Sequence, residues 1–157
     1  MAVDIGGEAI NRAYYYVVTN TIINKTNPAT TAGQITSVEL WAYAAIEDLK
    51  IGTFYLTNGN TLKCRAVAVI GDVASGSKIT KSGLTLQVEI GDFLGCCGTV
   101  GSLDRVKVGY DGMWYTGIDC LFVDNETTYL LAAGDLFSLG GYISAAAAGR
   151  SFGFIIG

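Results

Sequence analysis

The sequence predicts an all-β domain, and three observations predict it. No segment holds a sustained 3.6-residue apolar period. Short runs rich in β-branched and aromatic residues recur instead. These runs are broken by Gly, Asn, Asp and Ser, with 21 glycines and one proline, Pro28. Their number and spacing suit a single-domain antiparallel β-sandwich of jelly-roll-like order over residues 1–157.

The elements follow in chain order. Arg12 to Asn24 reads as a strand pair or one bent strand, carrying Tyr14, Tyr15, Tyr16, Val17 and Val18, then Ile22 and Ile23. Asn27 to Gly33 is a loop with strong turn chemistry. Gln34 to Ala45 is a long strand with Ile35, Val38, Leu40 and Ala42 near alternation, and Ile51 to Thr57 is the next. The turn Thr57-Asn58-Gly59-Asn60 leads into Leu62 to Ile70, a hairpin signal. Gly71 to Ser77 is a turn. Leu84, Leu86, Val88 and Ile90 alternate with Thr85, Gln87 and Glu89, so the two sets face opposite ways. Gly91-Asp92 breaks this strand and Phe93 to Gly98 resumes it. Later strands are expected at Arg105 to Val108, Met113 to Tyr115, Thr128 to Leu131, Leu136 to Leu139 and Phe152 to Ile156. Ala145 to Ala148 could start a helical turn that Gly149 stops. Gly-Asp recurs at Gly71-Asp72, Gly91-Asp92 and Gly134-Asp135, as strand-end turn chemistry would have it.

Composition narrows the function classes. Half of the residues are apolar and 15% are charged, against roughly 25% in ordinary soluble domains. So little charge cannot cover the outside of a monomer, which points to a homo-oligomer. The net charge is −4 and the ten Lys and Arg residues are scattered, which disfavours a nucleic-acid partner. The chain has no His, which removes the usual general base and the commonest zinc ligand. The opening Met1 to Gly7 has no charged n-region and no long apolar core, so no secretory signal is expected. No window approaches the length of a membrane helix, and no membrane span is expected.

Little chemistry stands out. Glu47, Asp48, Asp104, Asp111, Asp119, Asp124 and Glu126 lie in predicted loops and read as solvated charges. Asp119, Asp124, Asn125 and Glu126 supply hard oxygen atoms but do not follow the spacing of a calcium loop. No catalytic residue, cofactor site or metal site is predicted. Cys64, Cys96, Cys97 and Cys120 read as small buried hydrophobes. The alternative is a disulfide from Cys64 or Cys120 to one of the adjacent pair, of which one faces the core and the other outward. Two Asn-x-Thr triplets, starting at Asn24 and Asn125, match the glycosylation pattern. Tyr14, Tyr15, Tyr16, Trp41, Trp114 and Tyr115 are the candidate interface anchors, since aromatic residues carry most interface energy. Trp114 and Tyr115 beside Asp111 form an alternative sugar-stacking groove, and core packing of Trp114 with Tyr115 at a strand edge is the reading set against both.

The opening Met1-Ala2-Val3-Asp4-Ile5-Gly6-Gly7-Glu8-Ala9-Ile10-Asn11-Arg12 resembles small structural proteins of tailed phages and environmental viruses. So do Lys25 to Ala29, Gly33 to Ala42, Thr53 to Tyr55, Val88 to Gly95 and Gly112 to Tyr115. Gly91 to Leu94 and Phe152 to Ile156 are similar to strands of C1q- and tumour-necrosis-factor-like jelly rolls, which form trimers. The resemblance implies a non-enzymatic virion component: a capsid decoration protein, a fibre domain or a tube-forming subunit. Its partners would be itself, as a trimer or helical polymer, a major capsid or tail protein, and glycans if it belongs to a host-attachment device. A subunit of a non-viral extracellular filament is the other assembly reading.

Overall fold

The structure is a computed structural model that describes residues 3–146. The expected strand at Phe152 to Ile156 and the last residues of the Ala145 to Ala148 segment lie outside the described residues. The described chain is all-β. Its strands are β1 (Ile5–Gly6), β2 (Tyr14–Val17), β3 (Thr21–Asn24), β4 (Gly33–Asn58), β5 (Thr61–Val73), β6 (Lys78–Val88), β7 (Phe93–Cys97), β8 (Val100–Thr116), β9 (Glu126–Thr128), β10 (Leu130–Phe137) and β11 (Leu139–Ala145).

All eleven strands join one antiparallel sheet with the path β1-β11-β4-β7-β3-β8-β10. The all-β, antiparallel expectation holds, while a two-sheet jelly-roll description goes further than this order. β4 explains the continuity. Its first part pairs with β11 and β6, its second with β5 and β7, and the stretch between touches β8. The expected strands Gln34 to Ala45 and Ile51 to Thr57 are thus one strand. Asp48, in the left-handed region at φ 53°, sits where the register against β5 slips between Ile46 and Leu49. A bulge of this kind bends a strand without ending it.

Four pairings close a ring. β4 pairs with β7, β7 with β3, β3 with β8, and β8 returns to β4 through Leu103 opposite Ala42. Each member contributes to the larger core: Ile51 and Leu49 from β4, Cys96 from β7, Ile22 from β3, Met113 and Leu103 from β8. A smaller core lies on the other face of the same strands, built from Ile23, Phe54, Cys97 and Trp114 and covered by Cys120, Leu121 and Tyr129. β3 and β7 are therefore buried on both faces, which is why neither shows an apolar–polar alternation.

Local chemistry sets the connections. The two-residue turn Gly59-Asn60 joins β4 to β5, closed by Asn58 opposite Thr61, with Gly59 at its first position in the left-handed region at φ 54°. Leu86 and Val88 are buried as the alternation predicts, but Ile90 is 71% exposed because β6 ends at Val88. Of the three Gly-Asp dipeptides, only Gly91-Asp92 forms a turn: Asp92 N–H donates to Glu89 O, and Gly91 sits between at φ 92°. Gly71 and Gly134 lie inside β5 and β10 at register shifts, so they are bulge glycines. Asn24, the first glycosylation triplet, is fully buried. Its amide donates to Phe137 O and Leu139 O and its oxygen accepts from Phe137 N, clamping the passage from β10 to β11.

Candidate functional site

Two surfaces stand out. The first is a cleft of about 460 Å³ beside β2. Arg105 of β8 lies opposite Tyr14, and Leu103 opposite Tyr16, so these four side chains share a face. Lys107 follows two residues on. Its Nζ sits 4.5 Å from the centre of the Tyr14 ring, and the Arg105 guanidinium 5.0 Å from that of Tyr16. Tyr15 points the other way and stacks on Tyr43 of β4, with ring centroids 4.5 Å apart and planes 15° from parallel. Tyr14, Tyr15 and Tyr43 are each about half exposed. Arg105 forms an ion pair with Asp135 at 2.6 Å, while its Nε is buried with no hydrogen-bond partner among the described residues.

The second surface is the free side of β10. This strand ends the sheet path, and among the described residues it pairs only with β8. Among the described residues, its outer side from Leu130 to Gly134 meets no other strand, and Leu130 is 62% exposed. Protein edges are normally guarded by Lys, Pro or inward charges. The stretch Leu130-Leu131-Ala132-Ala133-Gly134 has none, and the next residue, Asp135, is tied to Arg105. Tyr115 is half-buried on β8 opposite Leu130.

Of the expected anchors, Tyr14, Tyr15 and Tyr16 line the cleft and Tyr115 adjoins the β10 edge. Trp41 is half-buried at the end of the β4–β6 pairing, away from the cleft lining. Trp114 is a correction. It is fully buried, set edge-on to Phe93 at 4.9 Å, and its indole N–H donates to Asn60 Oδ1 at 2.9 Å. It packs the smaller core and neither anchors a partner nor stacks on a sugar beside Asp111. Sequence reasoning missed Tyr43, Arg105 and Lys107. The signal was present: Arg105 and Lys107 are spaced by two in a strand, which puts both on one face.

The cysteines also bring a correction. All four are free and buried, so the disulfide alternative is not realised. Cys96 enters the larger core, and Cys64, Cys97 and Cys120 the smaller. The adjacent pair does point to opposite faces, but both faces are covered. Burial pushes the thiols of Cys64 and Cys97 up to about 11, and that of Cys96 well above its ordinary value. The neutral thiol is thus favoured in the folded state. Stability from these groups is complete below the ordinary thiol value of 9.0 and is lost as pH rises through about 11. Denaturation midpoints in urea should fall between pH 8 and pH 11, and a disulfide-exchange reagent at neutral pH should label the folded protein only as fast as it unfolds. Rapid labelling of the native protein would contradict this burial.

Among the described residues, no group of three or more Cys, Asp or Glu side chains is placed to hold a metal ion. Asp119 instead pairs with Lys50 at 2.7 Å. Among the described residues, no helix is long and apolar enough to cross a membrane. Comparison of the chain with protein-family models, curated proteins and solved structures finds no match.

Proposed function

We propose that this protein is a non-enzymatic structural subunit that works by self-association. The observation that carries this reading is the unguarded β10 edge, with Leu130 and Leu131 exposed beside Tyr115. A free strand edge offers unpaired N–H and C=O groups to a second chain, and an apolar one adds burial to those hydrogen bonds. The low charge of the whole chain agrees with this: exposed Val69, Val108, Ile118, Phe122 and Val123 are further apolar surface for a partner copy to cover. Two β10 edges meeting antiparallel about a twofold axis give a dimer, whereas β10 meeting a different edge gives a ring or a filament. The likeness of the sequence motifs to those of tailed-phage and environmental viral proteins supports placing the subunit in a virion, as a decoration, fibre or tube component.

Sedimentation velocity and electron microscopy of the untagged protein test this. The wild type is expected to run well above the 16.5 kDa of one chain. Leu130→Lys, at an exposed position, should shift it toward the monomer while leaving stability within about 0.5 kcal/mol. A wild type that stays monomeric at high concentration would sink the proposal.

A further inference from the structure

We infer that the turn at residues 122–125 of one copy seats on the surface formed by Tyr14 and Lys107 of a second copy. This rests on the self-association reading and deepens it, because it names a second contact beside the β10 edge. The turn is built to present its side chains. The Asn125 N–H donates to Phe122 O at 3.0 Å, and Asp124 sits in the left-handed region at φ 70°. Leu121 is buried just before it, and the Lys50 ammonium lies 4.7 Å from the centre of the Phe122 ring. Held in this way, Phe122 and Val123 still stay 55% and 61% exposed. Two adjacent apolar side chains on a fixed turn are surface that a partner can cover at little ordering cost.

Charge selects the receiving surface. Asp124 is exposed on the turn and forms no ion pair among the described residues. Its acidic neighbours are answered within the chain: Asp119 pairs with Lys50 at 2.7 Å, and Glu126 stands opposite Lys63 across the β5–β9 pairing. Lys107 is its counterpart. It is exposed, forms no ion pair among the described residues, and its Nζ lies 4.5 Å from the centre of the Tyr14 ring. Tyr14 is itself 48% exposed, so one incoming turn meets the ring and the ammonium together. Phe122 then packs on Tyr14, and the Asp124 carboxylate pairs with Lys107. Two such turns meeting each other would oppose carboxylates, and two such surfaces would oppose ammonium groups, so the contact joins unlike surfaces. Among the described residues, no ion pair or ring contact links the turn to this surface within one chain, so their union takes a second copy.

Charge reversal in the full chain tests this, read by sedimentation velocity over a concentration series. Lys107→Glu and Asp124→Lys should each raise the concentration needed for association by at least roughly tenfold, since each sets like charges together. Both changes in one chain should restore association to the wild-type range. Asp124→Asn removes the charge with a residue that tolerates the left-handed region, and should weaken association in the same direction. Phe122→Ala should weaken it about tenfold with both charges in place. All three positions are exposed, and circular dichroism checks that each variant is folded. Single reversals that associate like the wild type overturn the inference, and the β10 reading then stands if Leu130→Lys still dissociates the protein. A double reversal as weak as either single change overturns the pairing of Asp124 with Lys107. A Leu130→Lys protein that associates normally, with the reversals still disruptive, overturns the β10 edge and supports this contact. A wild type that stays monomeric overturns both.

Discussion

Trp114→Ala is expected to lower stability by about 3–5 kcal/mol, the usual cost of removing a buried large aromatic. Three features make this position costly. The side chain is fully enclosed, so its removal leaves a cavity and not a solvent-filled notch. It holds Phe93 edge-on and carries the hydrogen bond to Asn60, which ties the β4–β5 turn to the smaller core. Its neighbours across the strands, Ile23 on β3 and Leu131 on β10, are hydrogen-bonded backbones that cannot close up freely. In a domain of this size, each kcal/mol moves Tm by roughly 2–4 °C, so the transition should fall by about 10 °C. Trp114→Phe should recover most of this. A Trp114→Ala protein with an unchanged urea midpoint would mean the indole is not in the core at all.

Asp92→Ala should cost about 3 kcal/mol, for a different reason. The carboxylate is fully buried and accepts from Arg65 Nε at 2.6 Å, Arg65 Nη2 at 3.0 Å and the Glu89 backbone N–H at 2.9 Å. Removing it strips the turn before β7 of its internal acceptor and leaves Arg65, only 24% exposed, facing an apolar gap. The Arg65 guanidinium also lies over Tyr55, at 4.4 Å from its ring centre, so Arg65→Met retains packing while losing charge. A double-mutant cycle of Asp92→Ala with Arg65→Met separates the two contributions. A coupling energy above about 1 kcal/mol is expected for contacting charged groups, and a coupling near zero would show the pair to be incidental.

How much of this was legible in the sequence depended on whether a strand keeps one polar face. β6 does in its second half, and Leu86 and Val88 were read correctly from the alternation. Asn58-Gly59 announced its hairpin through glycine chemistry alone. β4 was read as two strands because Glu47 and Asp48 look like a loop, when they mark a bulge. Trp114 read as either an exposed anchor or core, because Tyr110, Asp111 and Gly112 precede it, and β8 passes within those few residues from an open stretch into a two-sided core. The cleft was half visible. Tyr14 to Tyr16 were evident as a cluster, but Tyr43, Arg105 and Lys107 come from strands whose register only the folded sheet sets.

The closed ring of pairings bears on the order in which the chain can fold. β3 finds its partners at Phe93–Cys97 and again at residues 113–116, and β1 pairs with residues 140 and 141. Almost nothing in the ring is local, so loop closure must precede any reward from contact, and folding in milliseconds to seconds is expected for such topologies. During synthesis, Ile22 and Ile23 wait with both faces uncovered until β8 emerges some ninety residues later. That interval is when neighbouring nascent chains would mispair. Fast translation of the segment between β3 and β8, on widely spaced ribosomes, therefore shortens the interval in which Ile22 and Ile23 are exposed to another chain.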